Sequence, residues 1–303
     1  MAEKDILEKT LESYNDVFAD IANALLFEGK PVVKEQELES PSTHSWYKTA
    51  DSRLRQQERD AAKFWKRCDI RIALIGMENE SVPESDLPLR IFGYDGAEYR
   101  NQLFNVKDAK ERWVRNKLPR YPVITLVLYF GRRHWNYPLT LLECLAPFPE
   151  ELKPFVNDFK VNFFDMSALT EQQLQRFHSD FFHIADYYVQ QRKNRDYSPS
   201  SKTLRHTPEV LQLMSVLTKD SRFEQVLSDT EEVPKNMCEV LDRIERRGER
   251  RGERRGKRQG NEKRAVEDLR NLMENTGWPL DKAMAMIGIP ENQMQFYTDL
   301  LDS

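Results

Sequence analysis

The chain has 303 residues, of which 32% are charged, 39% hydrophobic and 11% aromatic, with a formal net charge of −4. This composition supports a folded core in one large domain or two smaller ones. No stretch approaches the roughly 18 apolar residues of a membrane span, so we expect no membrane segment. The acidic, amphipathic beginning MAEKDILEKTLESY lacks the apolar centre of a secretory signal. Cys68, Cys144 and Cys238 lie far apart without CxxC spacing, which predicts reduced thiols in a cytoplasmic protein.

Hydrophobic spacing predicts alternating helices and strands in the first half of the chain. Residues with three- and four-residue spacing indicate helices, and short continuous apolar runs indicate buried strands. The elements expected in chain order are a helix at 3–28, a polar loop at 34–52, strands at 57–66 and 69–79, a loop at 82–88, a helix at 89–104 and a strand at 123–131. A loop with a short helix follows at 131–145.

The second half of the chain is predicted to be helical, with helices at 167–192 and 202–228. Strands followed by helices are typical of a mixed α/β core with a helical C-terminal extension. We therefore expect an α/β domain at 1–195, a helical extension at 196–244, a basic low-complexity linker at 245–264, and a small module of three short helices at 265–303.

The predicted linker is a charged repeat in which ERRG occurs three times, followed by KRQG. Residues 245–264 hold ten Lys or Arg and four Glu, a local balance of +6, so the other 283 residues carry −10. A glycine at every fourth position costs a helix about 1 kcal/mol each relative to alanine. A solvated tether is therefore the expected structure, and Arg250 and Arg251 could contact DNA phosphates without sequence preference.

Carboxylates near the predicted strands indicate a metal-dependent phosphodiesterase. Asp60 lies near the first strand, and Glu78 and Glu80 lie at the end of the next, on one face because side chains alternate. Mg²⁺ prefers oxygen ligands and takes one or two protein carboxylates. We expect Asp60 and Glu78 to bind Mg²⁺, with the carbonyl of Asn79 as a further oxygen. Acidic pairs of this kind also occur as solvated surface residues.

The chain resembles the Rpn-type recombination-promoting nucleases, many of which are labelled transposases and which belong to the PD-(D/E)xK superfamily. The resemblance rests on GMENESVPESDLPLRIFGYDGAEYRNQL at 76–103, and on YPVITLVLYFG at 121–131 with Trp135. It implies a restriction-endonuclease-like mixed sheet flanked by helices. The expected activity is Mg²⁺-dependent DNA cleavage, with Mn²⁺ as an alternative ion, in recombination or transposition.

The resemblance also implies roles for individual residues. Asp60 and Glu78 match the two metal-binding acids, and Asp20 matches an acid on the first helix that serves as a peripheral metal ligand. Glu80 stands where this family has Gln and the superfamily usually has Lys, so Glu80 would orient water or bind a second ion. A third carboxylate needs positive charge nearby, and we expect Lys63 or a second metal ion to supply it.

Four further arginines, Arg90, Arg100, Arg132 and Arg133, are expected to contact DNA phosphates. An ion pair that fixes the helix to the site is the alternative for Arg90. Two other functions stay open: a catalytically inactive nuclease fold that binds DNA or another protein, and a metal-dependent RNase. The sequence also leaves the oligomeric state open, a homodimer included.

Overall fold

The structure is a computed structural model and describes residues 3–41, 46–48, 54–56, 60–68, 70–104, 106–107, 113–114, 118–193, 197–228 and 232–301. The chain divides into two compact units, Met1–Val240 and Leu241–Ser303. Parts of the predicted loop at 34–52 and residues 57–59 of the first predicted strand lie outside the described residues. Within these ranges, no helix has the length and apolar character needed to cross a membrane.

The first unit is built on a mixed sheet. Its strands and those of two small hairpins are β1 (Leu38–Glu39), β2 (Trp46–Lys48), β3 (Leu54–Gln56), β4 (Ala61–Arg67), β5 (Ile70–Glu80), β6 (Val106–Lys107), β7 (Trp113–Val114), β8 (Val123–Tyr129) and β9 (Asn162–Asp165). The five-stranded sheet has the order β1-β4-β5-β8-β9, and β2-β3 and β6-β7 are the hairpins. The expected mixed α/β sheet is confirmed.

Helices surround the sheet in the first unit and make up the second. They are α1 (Glu3–Glu12), α2 (Asn15–Leu26), α3 (Leu87–Asn101), α4 (Leu141–Cys144), α5 (Glu171–Leu174), α6 (Phe181–Arg192), α7 (Thr207–Thr218), α8 (Arg222–Leu227), α9 (Met237–Thr276), α10 (Leu280–Met286) and α11 (Met294–Leu301). The predicted helix at 3–28 is divided at Tyr14, whose backbone is extended. Tertiary contacts hold it there, since its ring stacks on His206 and its hydroxyl donates to Glu209.

Strand β5 is the central strand of the five-stranded sheet and spans 11 residues. It pairs antiparallel with β4 and parallel with β8, and β8 pairs parallel with β9. The carboxyl ends of β5, β8 and β9 therefore meet at one edge, which we call the carboxyl edge. Helix α3 connects β5 to β8 and buries Leu87 and Ile91 against Val127 and Tyr129 of β8. This packing places the first turn of α3 beside the carboxyl edge.

The repeat at 245–260 forms a continuous α-helix, so the expected tether is wrong for its secondary structure. It lies inside α9, which spans 40 residues. Ion pairs at i,i+4 spacing offset part of the glycine cost, between Glu253 and Lys257 at 2.7 Å and between Arg258 and Glu262 at 2.8 Å. In the second unit, the end of α9 packs with α10 and α11 around a small core that contains Leu269, Ala283, Met284, Ile289 and Tyr297.

Candidate functional site

Asp60 is held beside the last residues of β5. It immediately precedes β4, and the β4–β5 register, in which Ala61 is opposite Met77, brings it next to Glu78. One carboxylate oxygen accepts the backbone N–H of Asn79 at 2.8 Å, and the other pairs with the Lys9 ammonium at 2.8 Å. Strand pairing therefore brings together acids that are 18 residues apart in the chain.

Glu78 and Glu80 lie on the α3 face of β5, where Arg90 is their cation. Glu78 is buried, and its Oε2 is 3.7 Å from a terminal nitrogen of Arg90. The same arginine pairs with Glu80, and with Glu84 at 3.1 Å. Burial raises the pKa of Glu80 although Arg90 opposes the shift. The positive charge that a third carboxylate requires thus comes from Arg90.

Two buried acids of α1 lie near the site and were not predicted from the sequence. Glu12 accepts two contacts from the side-chain amide of Asn79, at 2.9 and 3.0 Å. Glu8 pairs with Lys4 at 3.3 Å. Burial raises the pKa of Glu8 to about 7 against the pull of Lys4, and burial followed by repulsion from Glu8 raises that of Glu12 well above its ordinary value. Their spacing of four residues on the buried side of α1, beside Leu11, was the available signal.

The acids outnumber the cations around Asp60. Burial is the main cause of the raised pKa of Glu8, Glu12 and Glu80, and repulsion from Asp60 adds to each. In the described part of the chain, these contacts join six carboxyl groups with three cations: Glu8, Glu12, Asp60, Glu78, Glu80 and Glu84 with Lys4, Lys9 and Arg90. We call these nine residues the carboxylate cluster. It carries surplus negative charge when all its acids are ionised.

Its residues have the donor chemistry of a divalent-cation site, although protein cations hold the acids. Among the described residues, no group of three or more His, Cys, Asp or Glu side chains is placed to hold a metal ion. Mg²⁺ needs only one or two protein carboxylates, and Asp60 and Glu78 on adjacent strands can supply these. The buried Oδ1 of Asn79 does not belong to this donor set, because its side chain lies with Glu12 on the opposite face of β5. The donor set therefore fits a hard divalent cation.

Two predicted site residues have contacts that indicate other roles. Lys63 is buried, and its ammonium donates to the carbonyl of Ser13 at 2.6 Å and the hydroxyl of Ser40 at 3.1 Å. Burial lowers its pKa. Asp20 accepts hydrogen bonds from the backbone amides of His178 and Ser179, at 2.8 to 3.0 Å. Lys63 therefore holds the end of α1, and Asp20 holds the segment before α6. Both sets of contacts arise from tertiary packing, so the sequence alone does not reveal them.

The predicted DNA-contacting arginines have separate environments. Arg90 is committed to the carboxylates, which agrees with the ion-pair alternative. Arg100 is exposed on α3, and Arg250 and Arg251 are exposed on α9. Arg132 and Arg133 are both exposed after β8. Of these two, only Arg132 lines a cavity at the carboxyl edge.

Comparison with known proteins gives one family. Residues 74–221 match the family model described as "Putative transposase, YhgA-like". The matched segment contains Glu78, Glu80 and Arg90, whereas Asp60 and α1 precede it. No curated protein and no solved structure matches the chain.

Proposed function

Since residues 74–221 belong to this YhgA-like family, we propose that the protein is a metal-dependent DNA endonuclease acting in recombination or transposition. The proposed substrate is DNA because a transposase acts on DNA, and the proposed reaction is phosphodiester hydrolysis at the carboxylate cluster. We also propose that the mixed sheet is a PD-(D/E)xK core, with the acids at the end of β5 in the place that such a core gives them.

The observation that carries the proposal is the surplus of carboxylates over cations, in a cluster where Glu8, Glu12 and Glu78 are buried. Buried charges are paired or coordinate metal ions, since an isolated ionised carboxylate is very costly away from water. Lys4, Lys9 and Arg90 neutralise half of the six acids of the carboxylate cluster. A divalent cation held by these acids would supply the missing positive charge, and without it the acids must take up protons.

The residues of the carboxylate cluster would have different roles in hydrolysis. Asp60 and Glu78, with the carbonyl of Asn79, would hold Mg²⁺ or Mn²⁺. Such an ion polarises the phosphate and lowers the pKa of a bound water. Glu80, whose pKa burial raises, would accept a proton from the attacking water. Arg90 fixes the orientation of Glu80, and Lys9 does the same for Asp60.

Plasmid nicking with a Mg²⁺ titration tests the proposal. Asp60→Asn keeps an oxygen for the Asn79 amide but removes the charge. It is expected to lower nicking by more than about 100-fold, beyond the loss typical of outer-shell partners. Asp20→Asn is the matched control, because Asp20 is bound to backbone amides, and it is expected to retain nicking. Unchanged nicking by Asp60→Asn, in protein with a wild-type circular dichroism spectrum, contradicts the assignment.

A second function, DNA binding without cleavage, is favoured by the contacts of Arg90. This arginine pairs with three acids, as expected of a core in which a protein cation holds the carboxylates. A gel shift measured in parallel with nicking separates the two functions. Binding that is unaffected by Mg²⁺ and accompanied by no cleavage supports the non-catalytic function, and an RNA substrate in the same assay tests for an RNase.

A further inference from the structure

A cavity of about 460 Å³ opens beside the carboxylate cluster, at the carboxyl ends of β5, β8 and β9. Ser81 follows β5, Phe130 follows β8, and both contribute to its wall. Open α/β sheets bind ligands in the crevice outside the carboxyl ends of their parallel strands. The volume lies in the range of roughly 300–1,000 Å³ that is typical of small-ligand pockets.

The charged wall of the cavity fits an anion. Lys4, Arg132 and Arg192 line it. Lys4 donates to Ser81 at 2.6 Å and pairs with Glu8, and Arg192 pairs with Asp165 at 2.8 Å. Arg132 forms no ion pair with any of the described residues and is exposed to solvent. Its guanidinium is therefore available for a phosphate, which arginine binds in a bidentate fashion.

Another part of the wall is aromatic. The rings of Phe130 and Tyr188 lie 4.9 Å apart between centroids at an interplanar angle of 42°, and Tyr187 adds a third ring to the lining. Nucleobases stack on such rings, with about 1–3 kcal/mol per base in single-strand binding proteins. A phosphate group and a planar ring together describe a nucleotide.

Size and position identify the form of that nucleotide. A base inside a duplex cannot enter a cavity unless it leaves the stack, so the occupant is unpaired. Lys4 contacts both Ser81 at the cavity and Glu8 of the carboxylate cluster, so the two sites share a wall. A strand held in the cavity by one nucleotide would continue to the acids.

We propose that this cavity binds one unpaired nucleotide of a DNA strand, with its phosphate at Arg132 and its base against Phe130 and Tyr188. The identity of the strand as substrate rests on the proposed function. The binding step does not, because it needs neither metal nor cleavage.

The test is binding of a fluorescein-labelled single-stranded thymidine tetranucleotide to the full chain in EDTA, followed by fluorescence anisotropy. Arg132→Gln is expected to weaken binding about tenfold, the effect of one charge-assisted hydrogen bond. Arg133→Gln removes the same charge one residue away, outside the cavity, and is expected to weaken binding less than threefold. Deoxythymidine monophosphate is expected to compete at least tenfold better than thymidine or inorganic phosphate.

Each other result overturns the inference. Equal losses with the two arginine variants indicate general electrostatic attraction. Phosphate that competes as well as the nucleotide indicates an anion site without base recognition, and thymidine that competes as well removes the phosphate site. If the expected binding pattern is found but plasmid DNA is not nicked, only the proposed function is contradicted. If plasmid DNA is nicked but Arg132→Gln and Arg133→Gln lose equal affinity, only the nucleotide site in the cavity is contradicted.

Discussion

Arg90 offers the sharpest test of the electrostatics of the carboxylate cluster. Its side chain is 29% exposed and contacts Glu78, Glu80 and Glu84. Arg90→Gln leaves Glu78, 4% exposed, and Glu80, 14% exposed, without this cation. Breaking a fully buried pair costs about 3–5 kcal/mol. Because the arginine is partly solvated, we expect a loss of about 2–3 kcal/mol in the free energy of unfolding at pH 8.

The loss has a predicted pH dependence. Burial raises the pKa of Glu80 and Arg90 opposes that shift, so the variant raises it further. An acid with a raised pKa in the folded state stabilises the fold below its unfolded value and loses that contribution as pH rises through the folded value. The difference between variant and wild type should therefore be smaller at pH 5 than at pH 8.

Urea denaturation followed by circular dichroism measures both effects. Arg100→Gln, an exposed arginine on the same helix, is the control and should change stability by less than about 0.5 kcal/mol. If a divalent cation binds the acids, Mg²⁺ should restore more stability to Arg90→Gln than it adds to the wild type. An equal loss at pH 5 and pH 8, or no loss at all, refutes the reasoning.

Three further predictions concern α1 and α9. The pKa of Glu8, raised from 4.5 to about 7 by burial, corresponds to roughly 3 kcal/mol that is present below pH 4.5 and lost as pH rises through 7. In metal-free urea titrations, Glu8→Gln should flatten that decline, and an unchanged slope contradicts the burial argument. The added methyl group of Gly252→Ala meets no atom within 4 Å, so this substitution should stabilise α9 by about 1 kcal/mol. Gly277→Ala, at φ +66°, should instead destabilise the C-terminal end of α9. Thermal melts followed by circular dichroism at 222 nm distinguish the two variants. Replacing Arg250 and Arg251 by Gln should reduce the slope of log affinity for duplex DNA against log salt by about 1.8, and an unchanged slope shows that α9 does not contact phosphates.

The strands and their acids could be predicted because the relevant signals are local. The apolar runs of β5 and β8 identify buried strands within one or two residues of their observed ends, and alternation gives Glu78 and Glu80 a common face. The helix over the repeat in α9 differs from the prediction, which gave too much weight to the glycines. Glycine propensity is a weak term, and the ion pairs of Glu253 and Glu262 contribute in the helical direction.

The partners of those acids could not be predicted, because they come from distant segments. Lys63 was the expected cation, and it instead reaches a carbonyl at the end of α1. Helix α1, which precedes Glu78 by more than 65 residues in the chain, contributes Lys9, Glu8 and Glu12. The four-residue spacing of Glu8 and Glu12 beside Leu11 indicates the buried side of α1, but it does not indicate which strand these acids meet.

The sequence by itself determined the mixed sheet, the strand that carries Glu78 and Glu80, and the family resemblance, since hydrophobic periodicity and short motifs are properties of contiguous residues. Only the tertiary structure decided which charges meet. Strand pairing brought Asp60 to the Asn79 amide, and helix packing set Arg90 on one face of β5 and Glu12 on the other. The balance of charge at the carboxyl edge depends on distances between side chains, and folding sets those distances.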